Sequence, residues 1–186
     1  RITVRDLLHH NAGFVEDNPW GDRQQVLSPA EFGAMLAQGF DFATTPRTAF
    51  EYSNTGYAIL GRIVSNVSGQ PYQDYIRSRI MAPLGMRSTT YDIFASPLPR
   101  RAIGYRFEDG KWTREPDMKD GEYGAMGGVE TSANDYWRWV AFLLSAWPPR
   151  DEAEAGPVKR ATVREIVTGA NFVGASERSA AASPIP

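Results

Sequence analysis

The sequence predicts a mainly α-helical chain with one small β element. Three observations carry this. Helix-start signatures recur, in which a Ser or Thr stands three residues before an acidic side chain that can return its hydrogen bond. Apolar residues then follow at three- and four-residue spacing. Strand signal is confined to one short hairpin pattern around an Asp-Gly turn. A length of 186 residues suits one domain or a large piece of one.

Taken in order, Thr3-Val4-Arg5-Asp6 sets a hydroxyl three residues before a carboxylate and predicts a helix carrying Leu7 and Leu8. Ser28-Pro29-Ala30-Glu31 adds Pro at the first helical position, and Phe32, Met35 and Leu36 follow at helical spacing. The next helix is predicted to begin at Ser53 or Asn54, to bury a stripe of Tyr57, Leu60, Gly61, Val64 and Val67, and to stop at Gly69. Pro71 opens another, with Tyr72, Tyr75, Ile76 and Ile80 inward and Pro83 ending it. Tyr105-Arg106-Phe107, Glu108-Asp109-Gly110 and Lys111-Trp112 read as a hairpin. Ser132-Ala133-Asn134-Asp135 caps a helix expected to bury Tyr136, Trp139, Val140, Leu143 and Leu144. Residues 150–157 read as a solvated loop, and Thr162-Val163-Arg164-Glu165 as the start of a last short helix ending near Gly169. Residues 1–174 are expected to form the folded part, and the Ser/Ala-rich 175–186 a flexible or truncated tail. The chain opens on Arg1 without an initiator Met, which predicts that a segment has been removed or lies outside it.

Composition narrows the function classes. A net charge of −2 gives no basis for a nucleic-acid or anionic-membrane partner. No cysteine is present, which excludes disulfides, a thiol nucleophile and thiolate metal sites. His9 and His10 are the only histidines, so no multi-histidine zinc site can be built from this chain, and no cofactor is expected. Adjacent helical positions point in different directions, so these two do not readily share one ion. The longest apolar run, Val140-Ala141-Phe142-Leu143-Leu144, falls far short of the roughly 20 residues of a membrane span. Compartment (periplasmic, secreted or cytoplasmic) and oligomeric state stay open at this level.

Chemistry concentrates at Tyr52-Ser53-Asn54. A phenol with an ordinary pKa of about 10 serves as a base near neutral pH only beside positive charge. A carboxamide two residues on can orient a substrate. The alternative is a packed aromatic followed by a helix cap. The aromatics Tyr123, Trp137, Trp139 and Trp147 could line an acyl pocket, or belong to the core.

Several ordered segments resemble one family. They are Asp6-Leu7-Leu8-His9-His10-Asn11-Ala12-Gly13-Phe14, Tyr52-Ser53-Asn54-Thr55-Gly56-Tyr57-Ala58-Ile59-Leu60-Gly61, Val67-Ser68-Gly69-Gln70-Pro71-Tyr72, Pro83-Leu84-Gly85-Met86-Arg87-Ser88-Thr89, and Gly127-Gly128-Val129-Glu130-Thr131-Ser132-Ala133-Asn134-Asp135. Together, over residues 2–146, they resemble the penicillin-recognising serine hydrolases: class C β-lactamases, D-alanyl-D-alanine carboxypeptidases and β-lactamase-like esterases. The resemblance implies the helical portion of a β-lactamase/transpeptidase-like α+β fold, with most of its sheet missing here. It implies acyl-enzyme chemistry on an ester, peptide or β-lactam, in which the Ser of a Ser-x-x-Lys motif attacks and backbone N–H groups hold the oxyanion. Tyr52 would then be the general base or acid and Asn54 a substrate-orienting residue. Tyr123, just before the Gly-Gly segment, becomes a candidate substrate contact. His10, Ser53, Gly56, Gly85, Gly127 and Gly128 take structural roles.

The sequence departs from the family in definite places. The residues three before Lys111, Lys119 and Lys159 are Glu108, Pro116 and Gly156, so no Ser-x-x-Lys occurs. Lys-Thr-Gly or His-x-Gly is likewise absent, as is a Gly-x-Ser-x-Gly elbow. The first two are expected before Arg1 and beyond Pro186. Arg47 stands where the family often has Gly, and Asn11-Ala12 where Thr-Ser is usual, both read as packing changes. Esterase or carboxypeptidase chemistry is expected over β-lactam hydrolysis, because class C β-lactamases tend to carry Ala between Tyr and Asn. The contrasting reading is a non-catalytic homologue or fragment that serves as a binding or regulatory domain.

Overall fold

The computed structural model describes residues 1–17 and 24–169. The expected tail at 175–186, and the boundary at 174, lie outside those residues. Among the described residues the α-helices with defined ranges are, in chain order, α1 (Val4–Leu8), α2 (Pro29–Gln38), α3 (Asn54–Ser68), α4 (Tyr72–Ile76), α5 (Ala133–Leu144) and α6 (Arg160–Ile166), with short 3₁₀ turns at Ile93–Ala95 and Leu98–Arg100. The only sheet among the described residues pairs β1 (Tyr105–Glu108) with β2 (Lys111–Arg114).

Local chemistry explains most boundaries. At α1, Thr3 Oγ1 accepts from the Asp6 N–H while the Asp6 carboxylate takes the Thr3 N–H at 2.7 Å. Ser28 and Glu31 repeat this reciprocal pair at α2. The α3 helix stops where Gly69 adopts φ 72°, a left-handed conformation costly for residues with a Cβ. After α4 the chain does not continue as α-helix. It widens into a π-turn at Arg77–Met81, with the Ala82 N–H reaching Arg77 O at 2.8 Å, and ends at Met81, two residues before Pro83. In the hairpin, Phe107 pairs with Trp112, their rings 5.1 Å apart. The positive φ of Asp109 and Gly110, 51° and 76°, matches a tight type I′ turn. Arg160 rather than Thr162 begins α6: Lys159 makes no side-chain cap, and the Arg160 N–H donates instead to the Glu154 carboxylate at 3.1 Å.

Three buried clusters hold the chain together. Leu7, Ala12 and Phe14 pack with Ile59, Leu60 and Ile63 of α3. Phe32, Ala58 and Tyr123 form the second, beneath Leu36, Phe40 and Ile59. Phe142, Ala146 and Val163 join α5 to α6. Each large apolar side chain so buried contributes about 1.5–3 kcal/mol.

Two predicted stripes are displaced. Along α3 the buried positions are Asn54, Thr55, Gly56, Ala58 and Gly61, while Val67 is 85% exposed. The reason is close packing against a 3₁₀ segment at Glu122–Met126, where a Cβ on Gly61 would stand 2.8 Å from that of Ala125. Along α5 it is Asp135 and Phe142 that are buried, with Trp139 and Leu143 packed beside Phe142, while Tyr136, Trp137 and Leu144 are exposed. The family segments beginning at Pro83 and Gly127 are tied together through Asp135. Its carboxylate accepts the Ser88 N–H at 2.6 Å and the Thr89 hydroxyl at 2.9 Å.

Candidate active site

Tyr52 and Asn54 meet at the start of α3. The Tyr52 hydroxyl donates to Asn54 Oδ1 at 3.2 Å. Tyr52 is 38% exposed, so its phenol is not walled in, whereas Asn54 is 5% exposed. The turn carrying them is fixed by an unusually complete cap. The first four N–H groups of an α-helix have no partner within it. Here Ser53 N–H donates to His10 Nδ1 at 3.1 Å, Asn54 N–H to Asp17 Oδ1 at 2.8 Å, Thr55 N–H to Asp17 Oδ2 at 2.7 Å and Gly56 N–H to Ser53 Oγ at 3.0 Å. Ser53 is therefore the N-cap, and Gly56 supplies the third-position N–H it receives.

His10 organises the other side. Its ring lies between Tyr52 and Tyr57, with centroids at 4.7 and 4.9 Å, and meets Phe50 edge-on. Its backbone carbonyl accepts the Glu51 N–H at 2.7 Å. Accepting at Nδ1 requires the neutral imidazole. Partial burial favours that state by pushing its pKa down, against the opposing pull of Asp17. Burial, and then the neighbouring Tyr52, push the Tyr57 phenol up.

Tyr123 is not at a rim. It has no exposed surface, packs edge-on against Phe32 at 5.4 Å and shares a 2.8 Å hydrogen bond with Thr55 Oγ1. The expected substrate contact is therefore corrected: this side chain is part of the core beneath α3, and burial raises its pKa. Of the proposed acyl-pocket aromatics, Trp139 packs in the α5–α6 cluster, and Trp137 and Trp147 are 65% and 42% exposed. Gly85 takes φ 71° after the π-turn. Gly127 and Gly128 both donate to Gly124 O, and a Cβ on Gly128 would stand 2.9 Å from Asp120 Oδ1. The Asp120 carboxyl has its pKa raised by burial, and the nearby Tyr91 phenol is pushed up to about 12.

Three contributors escaped the sequence reading. Asp17 caps two amides from 37 and 38 residues away, and no local pattern signals it. Thr55 links Asp17 to Tyr123. Arg47, beyond a packing change, binds the Asp6 carboxylate through Nε at 2.9 Å and through a terminal nitrogen at 2.9 Å. It does so with φ 72°, a conformation natural for the family's Gly. The Arg47 guanidinium and the Thr3 hydroxyl hold Asp6 well below the usual carboxylate range. The aligned signal was the departure from Gly itself.

A cleft of about 660 Å³ runs beside this cluster, lined by Val4, Leu8, His10, Tyr57, Glu165 and Ile166 among others. Tyr52 and Asn54 are not among its lining residues. Among the described residues, no group of three or more His, Cys, Asp or Glu could hold a metal ion, and no helix is long and apolar enough to cross a membrane.

Comparison with known proteins gives consistent relatives. "Penicillin-binding protein 4" of Amycolatopsis lactamdurans is 41% identical over 153 residues, covering 77% of this chain and 38% of that protein. Among solved structures, the octameric penicillin-binding protein homologue of Pyrococcus abyssi superposes with a TM-score of 0.68 at 26% identity, covering 88% of this chain and 37% of that one. D-amino acid amidase of Ochrobactrum anthropi, complexed with L-phenylalanine, matches with a TM-score of 0.60 at 27% identity, covering 78% and 43%. The chain spans about a third of the length of the curated relatives it matches. A fold with 12 described elements, of which two are strands, fits a fragment of the β-lactamase/transpeptidase-like architecture. The family model described as Beta-lactamase matches residues 1–179, and on that ground the chain belongs to the beta-lactamase family.

Proposed function

We propose that this chain is the Tyr-x-Asn-bearing part of a serine hydrolase that cleaves an ester or amide carbonyl through an acyl-enzyme. The observation that carries the reading is the Tyr52 phenol, open to solvent and hydrogen-bonded to Asn54 at a turn locked on every side. In this reading Tyr52 takes the proton from an attacking serine and returns it to the leaving group. Asn54 orients the substrate and the lysine that supplies positive charge to the phenol. In this reading the serine and lysine are those of a Ser-x-x-Lys motif, which these 186 residues do not contain. The substrate class is a small ester, a D-amino-acid amide or peptide, or a β-lactam. Similarity to a D-amino acid amidase and to penicillin-binding proteins supports that range.

Full-length protein tests this directly, on short-chain p-nitrophenyl esters, D-amino-acid amides, D-Ala-D-Ala peptides and nitrocefin. Tyr52→Phe is expected to lower kcat by about 10²–10⁴, the weight of one general acid–base group. A rate near wild type returns Tyr52 to a packing role. The isolated 186-residue chain is expected neither to hydrolyse p-nitrophenyl butyrate nor to take a fluorescent penicillin label; covalent labelling would place the nucleophile within it.

A further inference from the structure

We infer that Asp17 is a positioning residue for Tyr52 and Asn54, acting through the first turn of α3; the inference rests on the hydrolase reading of that turn. Asp17 lies in the segment after α1, remote from the motif, and touches neither catalytic side chain in the hydrogen bonds described. Both its oxygens are engaged. Oδ1 takes the Asn54 N–H at 2.8 Å, and Oδ2 takes the Thr55 N–H at 2.7 Å together with the Thr55 hydroxyl. Thr55 Oγ1 continues to the fully buried Tyr123 hydroxyl at 2.8 Å. One carboxylate therefore pins the backbone on which Asn54 is mounted, and joins it to the second core cluster.

The arrangement suits positioning rather than proton transfer. A carboxylate bridging two consecutive amides at a helix start complements the positive end of the helix and fixes the orientation of its first residues. The Tyr52–Asn54 hydrogen bond of 3.2 Å depends on that orientation, since the residues are two apart and the buried Asn54 has little freedom. Misplacement by about 1 Å at such a point can cost on the order of 10² in rate. Asp17→Asn is isosteric, yet its amide must set an N–H donor against one of the two backbone N–H groups.

The test uses full-length enzyme, with competent molecules counted by burst titration so that unfolded protein does not enter the rate. For Asp17→Asn and Asp17→Ala, kcat per titrated site is expected to fall by about 10–10² while KM changes less than threefold. Asp17→Glu, which keeps the charge, is expected to recover part of the loss. Backbone amide exchange at Asn54 and Thr55 is expected to quicken by at least tenfold in Asp17→Asn. Unchanged kcat per site, or unchanged exchange at both amides, would overturn the inference. Tyr52→Phe run in parallel separates the two claims. Wild-type kcat there removes the hydrolase role of Tyr52, while the exchange result still decides whether Asp17 holds the turn. Should Asp17→Ala not fold, Asp17→Asn carries the test alone.

Discussion

Removing the His10 ring is expected to loosen the candidate site from beneath. In His10→Ala, the Ser53 N–H loses its acceptor, and Ser53 is 3% exposed. A buried donor left unpaired costs about 1–3 kcal/mol. Two stacked contacts, to Tyr52 and Tyr57, go with the ring. Each such pair is worth about 0.5–1.5 kcal/mol beyond area burial. The backbone at φ 53°, which His and Asn tolerate better than Ala, can only add to this loss. The sum is about 2–6 kcal/mol, and since His10 is only half-buried, water relieves part of it, leaving about 2–4 kcal/mol. Against a typical stability of about 5–15 kcal/mol this is a large fraction. Urea unfolding of the full-length protein measures it as a shift of midpoint at unchanged slope. His10→Asn keeps a side-chain acceptor and tolerates positive φ, so it should lose only the stacking share. A loss under about 1 kcal/mol in His10→Ala, or equal losses in the two variants, would refute the reasoning.

Other expectations follow from the same geometry. Because the folded state lowers the His10 pKa, its stabilisation is full above the unfolded value near 6.5 and is lost as pH falls through that value towards the folded one. Wild-type stability should therefore decline on acidification below about pH 6.5 more steeply than that of His10→Asn, and parallel curves would contradict the neutral imidazole. Asp6 follows the same sign in a more acidic window: its depressed pKa gives stability that is full above about pH 4 and is lost progressively as pH falls below that value. Arg47→Ala should lower the thermal midpoint at neutral pH more than Arg47→Gly, since Gly adopts φ 72° freely. The Arg47→Ala deficit should shrink in strong acid; a deficit independent of pH would remove the ion pair from the account. Gly121→Ala should destabilise by about 1–3 kcal/mol in chemical denaturation, as its Cβ would stand 2.5 Å from Gln25 O and 2.7 Å from Leu27 O.

What the sequence reveals here is what lies within a few residues of itself. The paired caps Thr3–Asp6 and Ser28–Glu31, the Asp-Gly hairpin and the Gly69 stop are local, and each is recognisable from adjacent letters. The α3 stripe misleads for a physical reason. Periodicity weighs large side chains, but the closest contact on this helix is made by the smallest residues, Ala58 and Gly61, pressed against Tyr123 and Ala125. Tyr123 is misplaced on the same ground, since nothing local distinguishes a core tyrosine from one at a rim. Asp17 and Arg47 act across 37 and 41 residues. Their partners depend on how α1, the segment after it and α3 fold together, so single-sequence patterning carries no trace of them. The chemistry proposed for Tyr52 and Asn54 rests on resemblance to a family, since a Tyr-x-Asn pattern alone equally describes a packed aromatic and a helix cap. The hydrogen bond between them, and the ring that supports it, required coordinates.

The saturated start of α3 also limits where a reaction can draw its help. An alkoxide created when a carbonyl is attacked needs amide hydrogens aimed at it and not already engaged. At this helix end every such hydrogen is committed to an imidazole, a carboxylate or a hydroxyl. The carboxylate also offsets the positive pole of the peptide dipoles. Under the proposed hydrolase reading, charge developing on a bound acyl group is met by donors in another segment, and the start of α3 serves to hold Asn54 in place beside Tyr52.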